Sequence, residues 1–306
     1  MATISVITPT FRREDVLRRC VESVLAQEVD AEIEHFVVND YGQPLTHAPW
    51  MDDPRVTVLN TYRTERSVAR NTGAALSRGD WLYFLDDDDY ALPGAFAAML
   101  EVAERTQAAH IYGGYRIISG ETNQETVHQP VLEGDIFPML LAGEGIPPQA
   151  TWVRRDAFFQ IGAFDLLAVP AEDADLVRRL GLFGPIAGTT EIVANVRVDH
   201  AGTTTTNYQQ HHGIWLRGTE NVLSMPETLG RTLSRTKTEP YWRGRCARVY
   251  FGSAGRNLRQ RRYGLAWGRL LAALRLCRTA KGENSEFRRG FRRKSGKPLR
   301  PQPISR

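Results

Sequence analysis

The sequence predicts an α/β fold: a mostly parallel sheet flanked by helices, followed by a helical, basic C-terminal extension. Three observations predict it. Short apolar runs alternate with segments of helical period through the first 107 residues, the pattern of a parallel sheet covered on both faces. The 306 residues, 42% hydrophobic and 24% charged, suffice for one large soluble α/β domain or two smaller ones. Charge divides the chain as well. Residues 231–306 hold 22 Lys+Arg against 3 Asp+Glu, whereas the first 230 hold 17 against 32. An acidic body and a basic tail suited to a polyanionic surface are expected to do different work.

The elements follow in order. TISVITPTF (3–11) reads as a buried strand ending at Pro9, and the helix of 13–27 carries Val16, Leu17, Cys20, Val24 and Leu25 at helical spacing. EIEHFVVND (32–40) and RVTVLN (55–60) read as the second and third strands. A helix over 66–79 is stopped by Gly79, a fourth strand covers 80–86, and Pro93 opens a helix over 93–106. In such sheets ligands sit at the carboxyl ends of the strands. There lie Thr8, Pro9, Thr10 and Phe11, then Asn39 and Asp40, then Asp86 to Asp89.

From 109 onward the pattern is mixed. Residues 110–119 and 151–158 read as strand ends, 172–184 as a helix with Leu176, Leu180 and Phe183 on one face, and 191–200 as a strand ending in Asp199 and His200. Thr203 to Thr206 form a polar loop, and His211 and His212 read as polar helix residues. After about 210 helices dominate. In 261–278, Tyr263, Trp267, Leu270, Leu274 and Cys277 share one face. The last residues are basic, proline-containing and poor in apolar side chains, a composition that predicts disorder. The expected organisation is a body over 1–210, divided near 107/108, a helical extension over 211–285 and a basic tail over 286–306.

No uncharged run approaches the ~18–20 residues of a membrane-spanning helix. The N-terminal stretch reads as a strand and has no secretory leader pattern. Cys20, Cys246 and Cys277 are odd in number and far apart, which predicts reduced thiols and a cytoplasmic protein.

WLYFLDDDDY (81–90) carries the chemistry. Four adjacent carboxylates follow a strand that should be buried. At an effective dielectric of about 20, two charges ~5 Å apart repel by roughly 3 kcal/mol. A solvated turn tolerates this; a folded crevice needs a protein cation or a metal. Alternate residues of a strand share a face, so Asp86 and Asp88 can point into one crevice. Two hard oxygen ligands with room for phosphate suit Mn²⁺ or Mg²⁺.

Four segments in order carry a family resemblance. ARNTGAALSRGDWLYFLDDDD resembles an Arg-Asn-x-Gly helix running into an Asp-x-Asp strand end. SVITPTFRRED resembles the same family's first strand and loop, IGAFDLLAVPAEDADLVRRL its Gly-Gly-Phe-Asp turn and Glu-Asp helix start, and VRVDHAGTTTT its Tyr-Arg-x-His segment. Together they cover roughly 3–206. The chain thus resembles a family 2 glycosyltransferase of GT-A fold, with 1–107 as the nucleotide-binding half and 108–210 as the acceptor half. Two departures stand out: NDYGQ replaces the frequent Asp-Asp-Gly-Ser, and Arg12 stands where the family often has Asn.

The resemblance implies a nucleotide-sugar donor, UDP-sugar by default, a divalent cation and inversion at the anomeric carbon. It implies that Asp40 hydrogen-bonds the nucleotide base, that Thr8 to Phe11 line it, and that Arg66 or Arg70 lies near the nucleotide with Asn71 supporting the loop. It places Asp86 and Asp87 at the nucleotide, Asp86 and Asp88 on the metal, Asp173 as the general base, and His200 near metal or diphosphate. Glu172 and Trp152 fall on the acceptor side. Blander roles stay open: Glu172 and Asp173 as ordinary first-turn acids, Asp40 as a turn residue, His200 as a strand cap, Trp152 as core. The acceptor is expected to be a saccharide or lipid-linked hydroxyl in surface polysaccharide or glycolipid synthesis. A nucleotidyl- or phosphoryl-transferase and a non-catalytic sugar-nucleotide module are the rivals.

The basic tail suits an anionic membrane surface, giving a peripheral seat on the inner face of the cytoplasmic membrane. Folding back on the acidic body is the alternative. Nucleic acid is disfavoured, since no binding motif accompanies the charge.

Overall fold

The computed structural model describes residues 1–129, 133–146, 148–198, 212–278 and 284–292. Among the described residues nine strands form one sheet: β1 (Ala2–Thr10), β2 (Ala31–Asn39), β3 (Val56–Asn60), β4 (Trp81–Phe84), β5 (Tyr90–Ala91), β6 (His110–Ser119), β7 (Glu125–His128), β8 (Thr151–Arg154) and β9 (Ile186–Val198). Their order is β3-β2-β1-β4-β8-β6-β9-β5, with β7 paired to β6. The β1, β2, β3 and β4 pairings are parallel, as is β6 with β9, whereas β8 runs antiparallel to both β4 and β6. The predicted mostly parallel α/β sheet is therefore present. The order turns about β1, with β2 on one side and β4 on the other, so a crevice opens at the carboxyl ends of these strands.

Helices α1 (Glu14–Leu25), α2 (Arg66–Leu76), α3 (Ala95–Arg105), α4 (Phe137–Leu141), α5 (Arg155–Gln160) and α6 (Glu172–Phe183) belong to the body. α1 buries Leu17, Cys20, Val21 and Val24, the face its spacing predicts with Val21 added. α2 lies unusually close to the sheet. A Cβ at Gly73 would stand 2.6 Å from Ile7 Cγ2, so only glycine permits the approach. That approach brings Arg70, one turn earlier on the same buried face, against the carboxyl end of β4. Phe84 packs on Phe158 and Phe164, tying β4 to α5 and to the turn before α6.

Two readings change. Residues 151–158 are a strand only to Arg154; the Asp156 carboxylate then accepts the Ala157 N–H and α5 begins. The short strands β5 and β7 carry no readable period of their own.

The extension comprises α7 (His212–Ser224), α8 (Glu227–Arg235), α9 (Pro240–Arg259), α10 (Tyr263–Arg278) and α11 (Asn284–Arg292). It shares a core with the body: Phe137 and Leu141 of α4 pack with Val222, Cys246, Tyr250, Ala273 and Leu276. Arg231 pairs with Asp135 and Arg245 with Glu144, so part of the basic charge folds back on the body. Helix α11 carries the described structure past residue 286 to Arg292. α11 packs on α9 through two glycines, since a Cβ at Gly244 would meet the Phe287 carbonyl and one at Gly290 the Tyr241 carbonyl. Residues 293–306 lie outside the described residues. Among the described residues no helix is long and apolar enough to cross a membrane.

Candidate active site

A cleft of about 680 Å³ opens at the carboxyl ends of β1, β2 and β4. Its walls include Pro9, Thr10, Phe11, Asp40, Arg66, Asp86 to Asp89, Asp173, Arg178 and Trp215. Most of the predicted site residues therefore converge.

The four carboxylates are held by protein cations and hydrogen bonds. Arg70 Nη2 donates to Asp86 Oδ1 at 2.6 Å, and Gln149 Nε2 donates to Asp86 Oδ2 at 3.0 Å. Burial opposes the Asp86 charge, but the Arg70 guanidinium holds its carboxyl below the usual range. Arg13 bridges the next two, at 3.1 Å to Asp87 and 2.7 Å to Asp88, and Thr10 donates its hydroxyl to Asp87 at 2.7 Å. Burial nevertheless pushes the Asp87 carboxyl up to about 6. Asp89 accepts the Arg197 N–H at 2.8 Å; burial, with the charges of Asp86 and Asp88, drives its carboxyl well above the usual range. Asp87, which the resemblance set at the nucleotide, lines the cleft but is 4% exposed, its carboxylate engaged by Thr10 and Arg13.

Asp86, Asp88 and Asp89 each offer an oxygen, all within 4.8 Å of one another. Three hard oxygen donors around a buried, negatively surrounded carboxyl fit Mg²⁺ or Mn²⁺. Asp89 was missed by the alternation argument, because the chain has left the strand at Phe84 and turns, the Asp89 N–H bonding the Asp86 carbonyl. His200, the third predicted ligand, lies outside the described residues.

Arg70 joins the two halves of the site. It is 2% exposed and forks from Asp86 to Glu172, its Nη1 lying 3.1 Å from Glu172 Oε1 and 3.6 Å from Asp173 Oδ1. Glu172 is 1% exposed, so it serves as a buried counterion to Arg70 rather than as an acceptor contact. Asp173 faces the cleft with its side chain 36% exposed. Burial raises its carboxyl to about 7; the charges of Glu172 and Asp86 add to this and Arg70 opposes it. A group poised near neutrality is suited to accept a proton. Asn71 clamps the turn before α6, donating to the Phe164 carbonyl at 3.0 Å and accepting the Phe164 N–H at 3.1 Å. The clamp is on the Phe164 turn, not on the Thr8–Phe11 loop that the resemblance had Asn71 support.

Asp40 lines the cleft but is already engaged. Its Oδ1 accepts from Thr61 and from the N–H and hydroxyl of Thr64, and its Oδ2 from the Glu65 N–H. Burial opposes its charge, yet these four bonds hold its carboxyl below the usual range. They also fix Glu65 at φ 98°, a left-handed conformation rarely adopted outside glycine. Arg12 sits at φ 58°, a region that Asn tolerates better than most residues, which explains why Asn suits this position. Here Arg12 stacks over Tyr41 at 4.4 Å, beside Phe11.

Two expectations are overturned. Thr8 is fully buried, bonding His35 at 2.9 Å, and does not line the cleft. Trp152 is 1% exposed and packs edge-on against Phe96 beneath Tyr83, so its ring has no face for a sugar. The aromatic wall comes instead from Trp215 of α7, which stacks with Arg178 at 4.8 Å. Nothing in the local sequence marks Trp215, because its place depends on how α7 packs on α6. Arg13 and Gln149 were likewise missed: each acts on a carboxylate more than sixty residues away.

The model of the family described as Glycosyl transferase family 2 matches residues 5–162, just over half of the chain. An "Uncharacterized glycosyltransferase" of Haemophilus influenzae is 28% identical over 183 residues, 58% of this chain and 61% of the relative. The "GalNAc(5)-diNAcBac-PP-undecaprenol beta-1,3-glucosyltransferase" of Campylobacter jejuni is 29% identical over 119 residues, 37% of this chain and 38% of the relative. The chain thus spans less than two thirds of either relative's length. The crystal structure of S. aureus TarS 1–349 in complex with UDP-GlcNAc superposes with a TM-score of 0.61 over 89% of this chain and 92% of that one, at 13% identity, a likeness of fold.

Proposed function

The chain belongs to glycosyl transferase family 2, and from that premise we propose that it is a metal-dependent, inverting glycosyltransferase using a UDP-sugar. Its acceptor is a hydroxyl of a saccharide or lipid-linked glycan in surface polysaccharide or glycolipid synthesis, and it works in the cytoplasm or peripherally at the membrane. One observation carries the reading. Buried Arg70 holds the acidic strand end and the Glu172–Asp173 helix start at opposite sides of one cleft.

Asp86, Asp88 and Asp89 would hold the cation, which when bound neutralises charge developing on the leaving diphosphate. Pro9, Thr10 and Phe11, with Asp40 and Arg66, form the nucleotide wall, and Phe11 at the rim supplies an aromatic edge for the base. Asp173 accepts the proton of the acceptor hydroxyl, turning a weak nucleophile into a competent one. Attack from the Asp173 side, opposite the leaving group, inverts the carbon. Trp215 offers an apolar face to the acceptor sugar, oriented by Arg178.

Titration calorimetry with UDP tests the site. Binding should need Mn²⁺ or Mg²⁺ and weaken at least about tenfold, or 1.4 kcal/mol, in Asp88→Asn. UDP binding indifferent to both metal and substitution would contradict the reading.

A further inference from the structure

Helix α10 is apolar on two sides, and only one of them is covered. Ala266, Ala272, Ala273 and Leu276 are buried. On the other side Tyr263 is 64% exposed, Trp267 62%, Leu271 41% and Leu274 38%. Spacings of three and four residues put these side chains on one stripe about 16 Å long. The face predicted from sequence differs in detail, since Leu270 and Cys277 turn partly inward and Leu271 replaces them. A helix with apolar residues on both sides is ordinarily buried on both, and a stripe of this size needs a partner.

Charge says which partner fits. Residues 240–282 hold eleven Lys+Arg and no Asp or Glu. Arg259, Arg261 and Arg262 are exposed at one end of the stripe and Arg278 at the other. Among the described residues, Glu144 and Glu220 pair with Arg245 and with Arg256 and Arg269, away from the arginines at the stripe's ends. Aromatic rings at the headgroup level, leucines beneath them and arginines on the phosphates are the components of interfacial binding.

We propose that the Tyr263–Trp267–Leu271–Leu274 face of α10, with its flanking arginines, docks flat on an anionic lipid bilayer. This deepens the peripheral part of the functional reading by naming the surface. It is independent of the chemistry of the cleft.

The test uses the full chain with vesicles of phosphatidylcholine, with and without phosphatidylglycerol. Co-sedimentation should occur with the anionic vesicles and fade as salt screens the arginines. The exposed double variant Trp267→Ser/Leu271→Ser should bind them at least about tenfold more weakly, with an unchanged circular dichroism spectrum and unchanged UDP affinity. Arg262→Gln/Arg278→Gln should weaken binding at low salt in particular. The proposal is overturned if the wild-type chain stays in solution with anionic vesicles, or if Trp267→Ser/Leu271→Ser sediments like the wild type. It is equally overturned if sedimentation velocity shows a dimer that this variant abolishes, because a second copy would then own the stripe. UDP affinity, read in the same samples, reports on the cleft separately.

Discussion

Replacing Asp173 by Asn separates catalysis from binding and from stability. The fold raises this carboxyl from its ordinary 3.8 to about 7, chiefly by burial. Protonation is therefore favoured in the folded state. The contribution of the protonated form is fully present below about 3.8 and is lost as pH rises through about 7. Three units at 1.36 kcal/mol each would give about 4 kcal/mol of destabilisation above pH 7. The side chain is 36% exposed, so solvent screening leaves about 1–2 kcal/mol. Asn cannot ionise and escapes that cost. Asp173→Asn should raise Tm by roughly 2–6 °C at pH 8 and leave it unchanged near pH 3.5. The same change removes the proposed base: kcat should fall about 10²–10⁴-fold while UDP affinity stays within about threefold. Wild-type kcat/KM should rise with pH as Asp173 ionises. Differential scanning fluorimetry and a nucleoside-diphosphate release assay read both halves. A normal kcat, or a Tm that falls at pH 8, would refute the reasoning.

Other expectations follow from the same geometry. Arg70→Met leaves half-buried Asp86 without its guanidinium and buried Glu172 with only Arg66, 3.5 Å away, and should cost up to about 3–5 kcal/mol in urea unfolding and abolish turnover. Trp215→Ala should raise the acceptor KM severalfold and leave donor affinity unchanged, as steady-state kinetics would show. His35 and His110 are held neutral by burial, each lowered to about 3. The stability this allows is present above pH 6.5 and is lost as pH falls from there toward 3, by at most about 1.4 kcal/mol per unit per histidine. His110→Phe should flatten that acid limb in pH-resolved unfolding. Gly290→Val forces a side chain onto the Tyr241 carbonyl and should release α11 to limited proteolysis with the body intact.

Much of the architecture of the first half of the chain is legible because its signals are local. The period of α1, the apolar runs of β1, β2 and β4, and the Gly73 that seats α2 all act within a few residues of themselves. Asp173 and the carboxylate run are equally visible, each at an element boundary. What stays hidden is set by pairing across the fold. The sequence of β8 does not say that it lies antiparallel between β4 and β6. That insertion is what buries Trp152, which a reading by residue type sets at the acceptor wall. The cations that hold the carboxylates come from the N-cap of α1 and from α2, and the cleft's aromatic wall from α7, so no spacing rule connects them to their partners. Glu172 shows the same limit: next to Asp173 in sequence, it differs in role because one points at Arg70 and the other at the cleft.

In the proposed reaction this cleft breaks a sugar–phosphate bond and passes a proton to Asp173. Phosphorus NMR of a UDP-sugar panel, incubated with Mn²⁺ and a glycan acceptor, tests it most directly. Release of nucleoside diphosphate by the wild-type chain and none by Asp173→Asn is the expected result. Release of pyrophosphate, or equal turnover by both proteins, would contradict it.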